Sequence, residues 1–144
     1  MSRFTTHRAT FAISIAIGMV VCSLSSCSTT TNRDIAEKAV DAFHAQYNSE
    51  LFETIELSAA PEFKGVGGSG KAYLEKVHEA LGRVTSSSQA TGSVQNQAGE
   101  AVINLMYITE FANSQAPETF VFRVKDKRAK LIFYEVGFPD LTNK

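Results

Sequence analysis

Acid–base chemistry in this 144-residue chain falls to a handful of side chains. His44 stands beside one apolar stripe at helical spacing and His78 within another, so each can be a base or simply a packed ring. Glu110 and Glu135 sit among strand-like apolar neighbours. A carboxylate sunk in an apolar pocket has its charged form disfavoured and can then serve as a general acid or base. Tyr107 or Tyr134 could donate a hydrogen bond to it. The plainer alternative is that both glutamates point to solvent and both histidines pack, so no residue is assigned a catalytic role. No GxSxG nucleophile element is present. Residues 64–70 (KGVGGSG) lack the preceding strand and the full spacing of a phosphate loop, which leaves a flexible loop as the expectation. Two histidines without a partner cysteine or a close His/carboxylate spacing fall short of known zinc ligand sets, and neither metal nor cofactor is expected.

The cysteine at position 27 has a different chemistry. Arg3, His7 and Arg8 give a basic start, and residues 11–24 (FAISIAIGMVVCSL) form a mostly apolar run. That run is short of the roughly 20 residues that cross a bilayer. A basic start followed by a short apolar core is the pattern of a cleaved secretory leader. Leu24-Ser25-Ser26-Cys27 resembles the lipobox of bacterial lipoproteins: aliphatic, small, small, cysteine. The resemblance implies cleavage between Ser26 and Cys27 and diacylglycerol (palmitate-type acyl chains) on the Cys27 thiol, with the freed amine open to a further chain. Two or three chains anchor a protein stably, where one does so marginally. Cys22, with bulky Val20 and Val21 before it, leaves with the leader, so the mature chain has no pair for a disulfide. Ser28 after the cysteine, rather than Asp, implies transport to the outer membrane, facing the periplasm.

Cleavage leaves about 118 residues, the size of one domain. Taking Arg3 and Arg8 from the 14 basic residues leaves 12 against 15 acidic ones, a net charge of −3. This excludes the clustered basic excess of a nucleic-acid binder. One basic cluster, residues 123–130 (RVKDKRAK), falls on a predicted hairpin tip, where it is either a solvated turn or a contact for anionic lipid or phosphate. Ten Phe and four Tyr supply bulk for a core.

These side chains must be positioned by helices first and strands afterwards. Residues 28–31 are expected to be a short polar tether, which keeps the domain near the membrane. A first helix is expected from a cap at Asn32 to about Asn48, burying Ile35, Ala36, Ala39, Val40, Phe43 and Tyr47, with Asp34 and Glu37 in its first turn. A second is expected over residues 50–58, capped by Ser49, with Leu51, Phe52 and Ile55 inward. A third is expected over residues 71–81, with Ser69 as cap, Gly82 at its end, and Tyr73, Leu74, Val77, His78 and Leu81 inward. Residues 84–95 read as a weakly specified, solvent-facing strand. Residues 101–111, 118–125 and 129–138 alternate as three more, with Phe120, Phe122 and Val124 on one face and Ile132, Tyr134, Val136 and Phe138 on another. The expected fold is α+β: N-terminal helices on a curved four-stranded antiparallel sheet. The expected division is a leader over 1–26, a lipidated tether over 27–32, and a single domain over 33–144.

Residues 36–47 (AEKAVDAFHAQY), 57–64 (LSAAPEFK), 81–84 (LGRV), 107–111 (YITEF), 118–124 (ETFVFRV) and 131–137 (LIFYEVG) resemble small exported proteins of the nuclear transport factor 2-like and cystatin-like superfamily. The resemblance implies a curved roll that binds in some relatives and catalyses in others. Large apolar residues on both faces of the second and fourth strands are unusual for a sheet with one wet face. Either a concave face lines a pocket or the outer face meets a partner, a second copy among them. The expectation is therefore a non-catalytic, membrane-anchored envelope domain that binds a protein or small apolar ligand. The alternatives are a small isomerase- or hydratase-like enzyme using an inward Glu or His, and an immunity-type protein.

Overall fold

The computed structural model describes residues 25–63, 68–97 and 99–137, with side chains from residue 31 onward. Phe138 and residues 64–67 of the Gly-rich loop lie outside the described residues, as does the leader's apolar run. Three helices precede four strands: α1 (Ser25–Asn48), α2 (Phe52–Ser58), α3 (Gly70–Leu81), β1 (Val84–Gln97), β2 (Glu100–Phe111), β3 (Gln115–Lys125) and β4 (Arg128–Val136). The strands pair antiparallel in chain order. This is the α+β arrangement expected, since short hairpin connections leave no room for crossovers. No helix among the described residues is long and apolar enough to cross a membrane.

The helices bury the stripes their periodicity sets out. Ala36, Val40, Phe43 and Tyr47 of α1 are buried, as are Phe52 and Ile55 of α2 and Tyr73, Leu74, Val77 and Leu81 of α3. Ser69 caps α3, accepting from the Ala72 amide at 3.4 Å. Glu56 completes that end: its Oε1 accepts from the Gly70 amide at 2.9 Å and from the Ser69 hydroxyl at 3.0 Å. The helix N-terminus that might have cradled a phosphate is thus already occupied by a carboxylate from α2.

Four elements differ from expectation, the simplest being β3, which begins at Gln115, three residues before the expected Glu118. Helix α1 begins at Ser25, so Asn32 is no cap, and residues 28–31 are helical rather than an extended tether. No Gly or Pro stands between residue 25 and the apolar stripe to stop the helix, and a Ser/Thr run costs only tenths of a kcal/mol per residue. Asp34 and Glu37 are then in the helix body, where Glu37 pairs with Arg33 at 2.8 Å. Helix α2 starts two residues later than expected, because Glu50 takes a left-handed φ of 58° and turns Leu51 outward, 49% exposed. In β4, Val121 pairs with Phe133 while Phe122 pairs with Leu131, so Ile132 is the extra residue of a β-bulge. The bulge shifts the alternation by one. Leu131, Tyr134 and Val136 face the core, and Ile132 does not.

The inner face of the sheet carries Ile103, Leu105 and Tyr107 of β2 and Phe120, Phe122 and Val124 of β3, all buried against the helices. Phe43, Phe120 and Tyr134 meet at ring-centroid distances of 4.7 to 5.1 Å, in edge-on and tilted pairs. Each such buried ring contributes about 1.5–3 kcal/mol by leaving water. β1 is an edge strand without a buried side chain, and its Ser/Thr/Gln content suits that place.

Candidate functional site

The period of β3 aims Glu118 at the core. It stands in phase with Phe120, Phe122 and Val124 and is completely buried. A buried carboxylate is costly unless its lone pairs meet donors. Three neighbouring elements supply them. β2 brings Thr109, whose hydroxyl donates to Glu118 Oε2 in a short bond. β4 brings Tyr134, whose hydroxyl donates to Oε1 at 2.6 Å. α1 brings His44, whose Nε2 lies 2.8 Å from Oε2. Cross-strand register explains the first two contacts. Tyr107 is opposite Glu118 on β2, so Thr109 is a diagonal neighbour; Phe120 is opposite Tyr134 on β4, so Glu118 is diagonal to it. With Nε2 donating, the other ring nitrogen of His44 is free to accept from the Ser87 hydroxyl of β1, 3.5 Å away.

Burial raises the phenol of Tyr134 well above its ordinary pKa, reinforced by the charge of Glu118 and by the bond between them. Tyr47, whose hydroxyl donates to the Gly82 carbonyl at 3.1 Å, is raised by burial first and by Glu118 second. Tyr107 is pushed up to about 12, again by burial foremost, then by Glu37 and Asp41. The centre is therefore a buried cluster in which Thr109, Tyr134 and His44 donate to Glu118.

It is also closed. The nearest groove, about 160 Å³, lies between α1, α2 and the β3–β4 side of the sheet, lined by Ala39, Phe43, Ile55, Phe122 and Leu131 among others. The Phe43 ring forms its wall and packs on Phe120 and Tyr134, which separates the groove from Glu118. No described cavity is lined by Glu118, Thr109 or His44. The cluster can hold α1 and three strands in one register.

The other candidate residues fall elsewhere. Glu110 is exposed, taking a short hydrogen bond from Gln115, and Glu135 is exposed. Neither faces the interior. His78 lies half-buried against Tyr47 and Phe52, with ring centroids at 5.2 and 5.5 Å, and its Nε2 has no partner among the described residues. Cys27 and Ser26 lie in the first turns of α1. Among the described residues no group of His, Cys, Asp and Glu is arranged to hold a metal. Glu118 and Thr109 are the residues that sequence reasoning passed over. Their signal is phase: each continues an inward alternation, whereas Glu110 and Glu135 are out of step with theirs.

The outer face of the sheet is the other notable feature. Met106 and Ile108 of β2 and Phe133 of β4 are 39%, 36% and 41% exposed there. Part-buried Val121 of β3 pairs with Phe133 on one side and with Asn104 on the other, while Met106 stands opposite Thr119 and Ile108 opposite Pro117.

No family model matches the chain, and no curated protein is similar to it. Among solved structures, a designed protein of the nuclear transport factor 2-like fold superposes with a TM-score of 0.51 at 14% identity. The match covers 73% of this chain and 98% of that protein. The likeness shows the fold: helices cupped by an open, curved antiparallel sheet.

Proposed function

We propose that the chain is the precursor of a bacterial envelope lipoprotein, cut before Cys27, whose domain binds a protein partner through the outer face of its sheet. The observation that carries the binding reading is the contrast between the two faces. The inner face is largely filled by its own aromatic side chains and by the Glu118 cluster, which leave beside α1 and α2 a groove of about 160 Å³. The outer face keeps Met106, Ile108 and Phe133 in water. Exposed apolar residues scattered singly are ordinary, and what supports the reading is that three stand on one face of the same sheet. Its rim is charged, with Glu110 and Glu135 beside it, as the rims of protein interfaces are. The lipoprotein reading rests on the lipobox at Leu24-Ser25-Ser26-Cys27 and on the basic, apolar leader before it. The isomerase- or hydratase-like alternative would have to run through Glu118, His44 or His78, and none of the three lines a described cavity.

A second copy of the chain is the first partner to test. Light scattering on the purified protein should show a dimer that Phe133→Glu and Met106→Glu convert to monomer. The two variants should keep the wild-type unfolding midpoint within the small range typical of surface changes. A wild-type monomer that also captures no envelope protein by proximity labelling would overturn the binding reading. The address is read separately: Cys27→Ser should abolish incorporation of a palmitate analogue and release the protein from the membrane fraction.

A further inference from the structure

The end of the domain nearest the proposed anchor carries an uncompensated basic hairpin. Helix α1 runs antiparallel to β1: Asn48 bonds both backbone groups of Val84, His44 reaches Ser87, and the Arg33 guanidinium lies over Gly92. At the opposite edge of the same sheet face, Phe43 packs on Tyr134 while Ala39 and Ala129 line one groove. Followed toward its N-terminus, α1 therefore heads for the end of the sheet where the β1–β2 and β3–β4 turns lie. Cys27 stands at that end of α1. Because residues 27–32 are helical, the attachment is a stiff rod advancing about 1.5 Å per residue. A rod presents one end of the domain to the membrane, where a flexible tether would present any.

The β3–β4 turn at that end is unusually basic. At its base Arg123 bridges Glu62 at 2.8 Å and Glu100 at 3.5 Å, and Lys125 pairs with Glu100 at 2.8 Å. Beyond this balanced base, Lys127, Arg128 and Lys130 are exposed and make no ion pair among the described residues. Arg128 and Lys130 line a shallow concavity of about 230 Å³ together with Arg123, Lys125 and Asp126, and Lys127 follows Asp126 in the turn. The turn itself has Asp126 at φ 49° and Lys127 at φ 59°. Two-residue turns of this kind favour glycine at the second position. Here a lysine occupies it, at some conformational cost, and places a cation at the tip. The surplus is local, because the mature chain is net negative.

We propose that the basic tip of the β3–β4 hairpin seats on anionic lipid headgroups of the membrane in which Cys27 is anchored, and so fixes the orientation of the domain. The proposal rests on the lipoprotein reading. Each cation near an anionic surface adds attraction that is lost beyond a Debye length, so three clustered residues matter only if they are held close. The stiff helix from Cys27 holds them close. It also leaves the outer face of the sheet standing off the bilayer, open to a partner.

The test uses the processed protein purified from membranes and reconstituted into vesicles, with hydrogen exchange of the amides over residues 126–130 as the readout. Exchange should be about tenfold slower in vesicles containing phosphatidylglycerol than in pure phosphatidylcholine. High salt (about 0.5 M) should remove the difference, as should the combined Lys127→Gln, Arg128→Gln and Lys130→Gln variant, which leaves the Glu100 ion pairs in place. Inorganic phosphate without vesicles should leave exchange unchanged; slowing by phosphate alone would overturn the lipid assignment. Equal exchange in both vesicle types, or a neutralised variant that keeps the slowing, overturns the proposal alone. An N-terminal mass without lipid on Cys27 overturns it together with the anchor reading.

Discussion

At the scale of the residue, Glu118 decides more than any other polar group. A carboxylate in full burial is tolerated because Thr109, Tyr134 and His44 all donate to it. Removing the acceptor strands three donors in a dry core. Glu118→Leu should therefore lower stability by about 3–5 kcal/mol, since each buried donor left without an acceptor costs about 1–3 kcal/mol. Tyr134→Phe and Thr109→Val, which each remove one donor and leave two, should cost about 1–3 kcal/mol. Glu110→Gln and Glu135→Gln should change stability by less than about 0.5 kcal/mol, as exposed substitutions do. Urea denaturation midpoints of the five variants give the comparison, and a Glu118→Leu protein as stable as Glu110→Gln would sink the account. The cluster was legible in part. Reading the phase of β3 through residues 118, 120, 122 and 124 places Glu118 inside without any structure. What the phase could not supply was the partner set, because Thr109, Tyr134 and His44 come from three elements and meet only through register. Tyr134 was nonetheless among the tyrosines expected to donate to a buried acid, and it does, to a different glutamate.

At the scale of the element, local rules worked where packing agreed with them. Helix α3 has its cap at Ser69, its stripe and its terminal Gly82 where the sequence placed them, because each signal is local and none is opposed. The misreadings have longer-range causes. The bulge at Ile132 cannot be seen in LIFYEVG, since Leu131 and Ile132 are equally apolar and only pairing with Val121 and Phe122 selects between them. Likewise, a Ser/Thr/Asn run offers a cap at several positions, and the helix that began earlier makes the choice. The closed α3 start and finish give a sharper test of element-level packing. A Cβ on Gly70 would lie 2.3 Å from the Phe63 ring, and one on Gly82 would be held at φ 79° with the Ala112 methyl 3.0 Å away. Gly70→Ala and Gly82→Ala should each lower the thermal midpoint through about 1–3 kcal/mol of strain and repacking, whereas Gly→Ala in an ordinary helix interior stabilises. Calorimetry showing either variant unchanged would mean that Phe63 or the helix end yields without cost.

At the scale of the whole molecule, the question left by the two apolar sheet faces is whether the roll encloses a wet pocket or a solid core, and the tyrosines report on it. All four, Tyr47, Tyr73, Tyr107 and Tyr134, have phenols raised above the ordinary value, and in each burial is the foremost cause. A water-filled cavity beside them would solvate the phenolate and bring them back toward 10. The sign of the linkage follows from the direction. Each folded-state value lies above the unfolded one, so the stability these groups confer is complete below about pH 10 and is lost as pH rises through the folded values. Tyr107, at about 12, sets the first step of that loss among the more strongly raised groups. Absorbance at 295 nm should accordingly stay nearly flat as pH passes 10, then rise together with the loss of far-ultraviolet ellipticity, because unfolding and ionisation become one event. In denaturant the same four tyrosines should titrate near 10. Tyr107→Phe should reduce the rise, since it removes a phenol that burial, Glu37 and Asp41 hold at about 12. If instead one or more tyrosines ionise near pH 10 with ellipticity intact, the interior admits water. The small-ligand version of the binding reading would then displace the one based on the outer face. A flat titration means a solid core, and leaves the exposed Met106, Ile108 and Phe133 of the outer face as the proposed recognition surface.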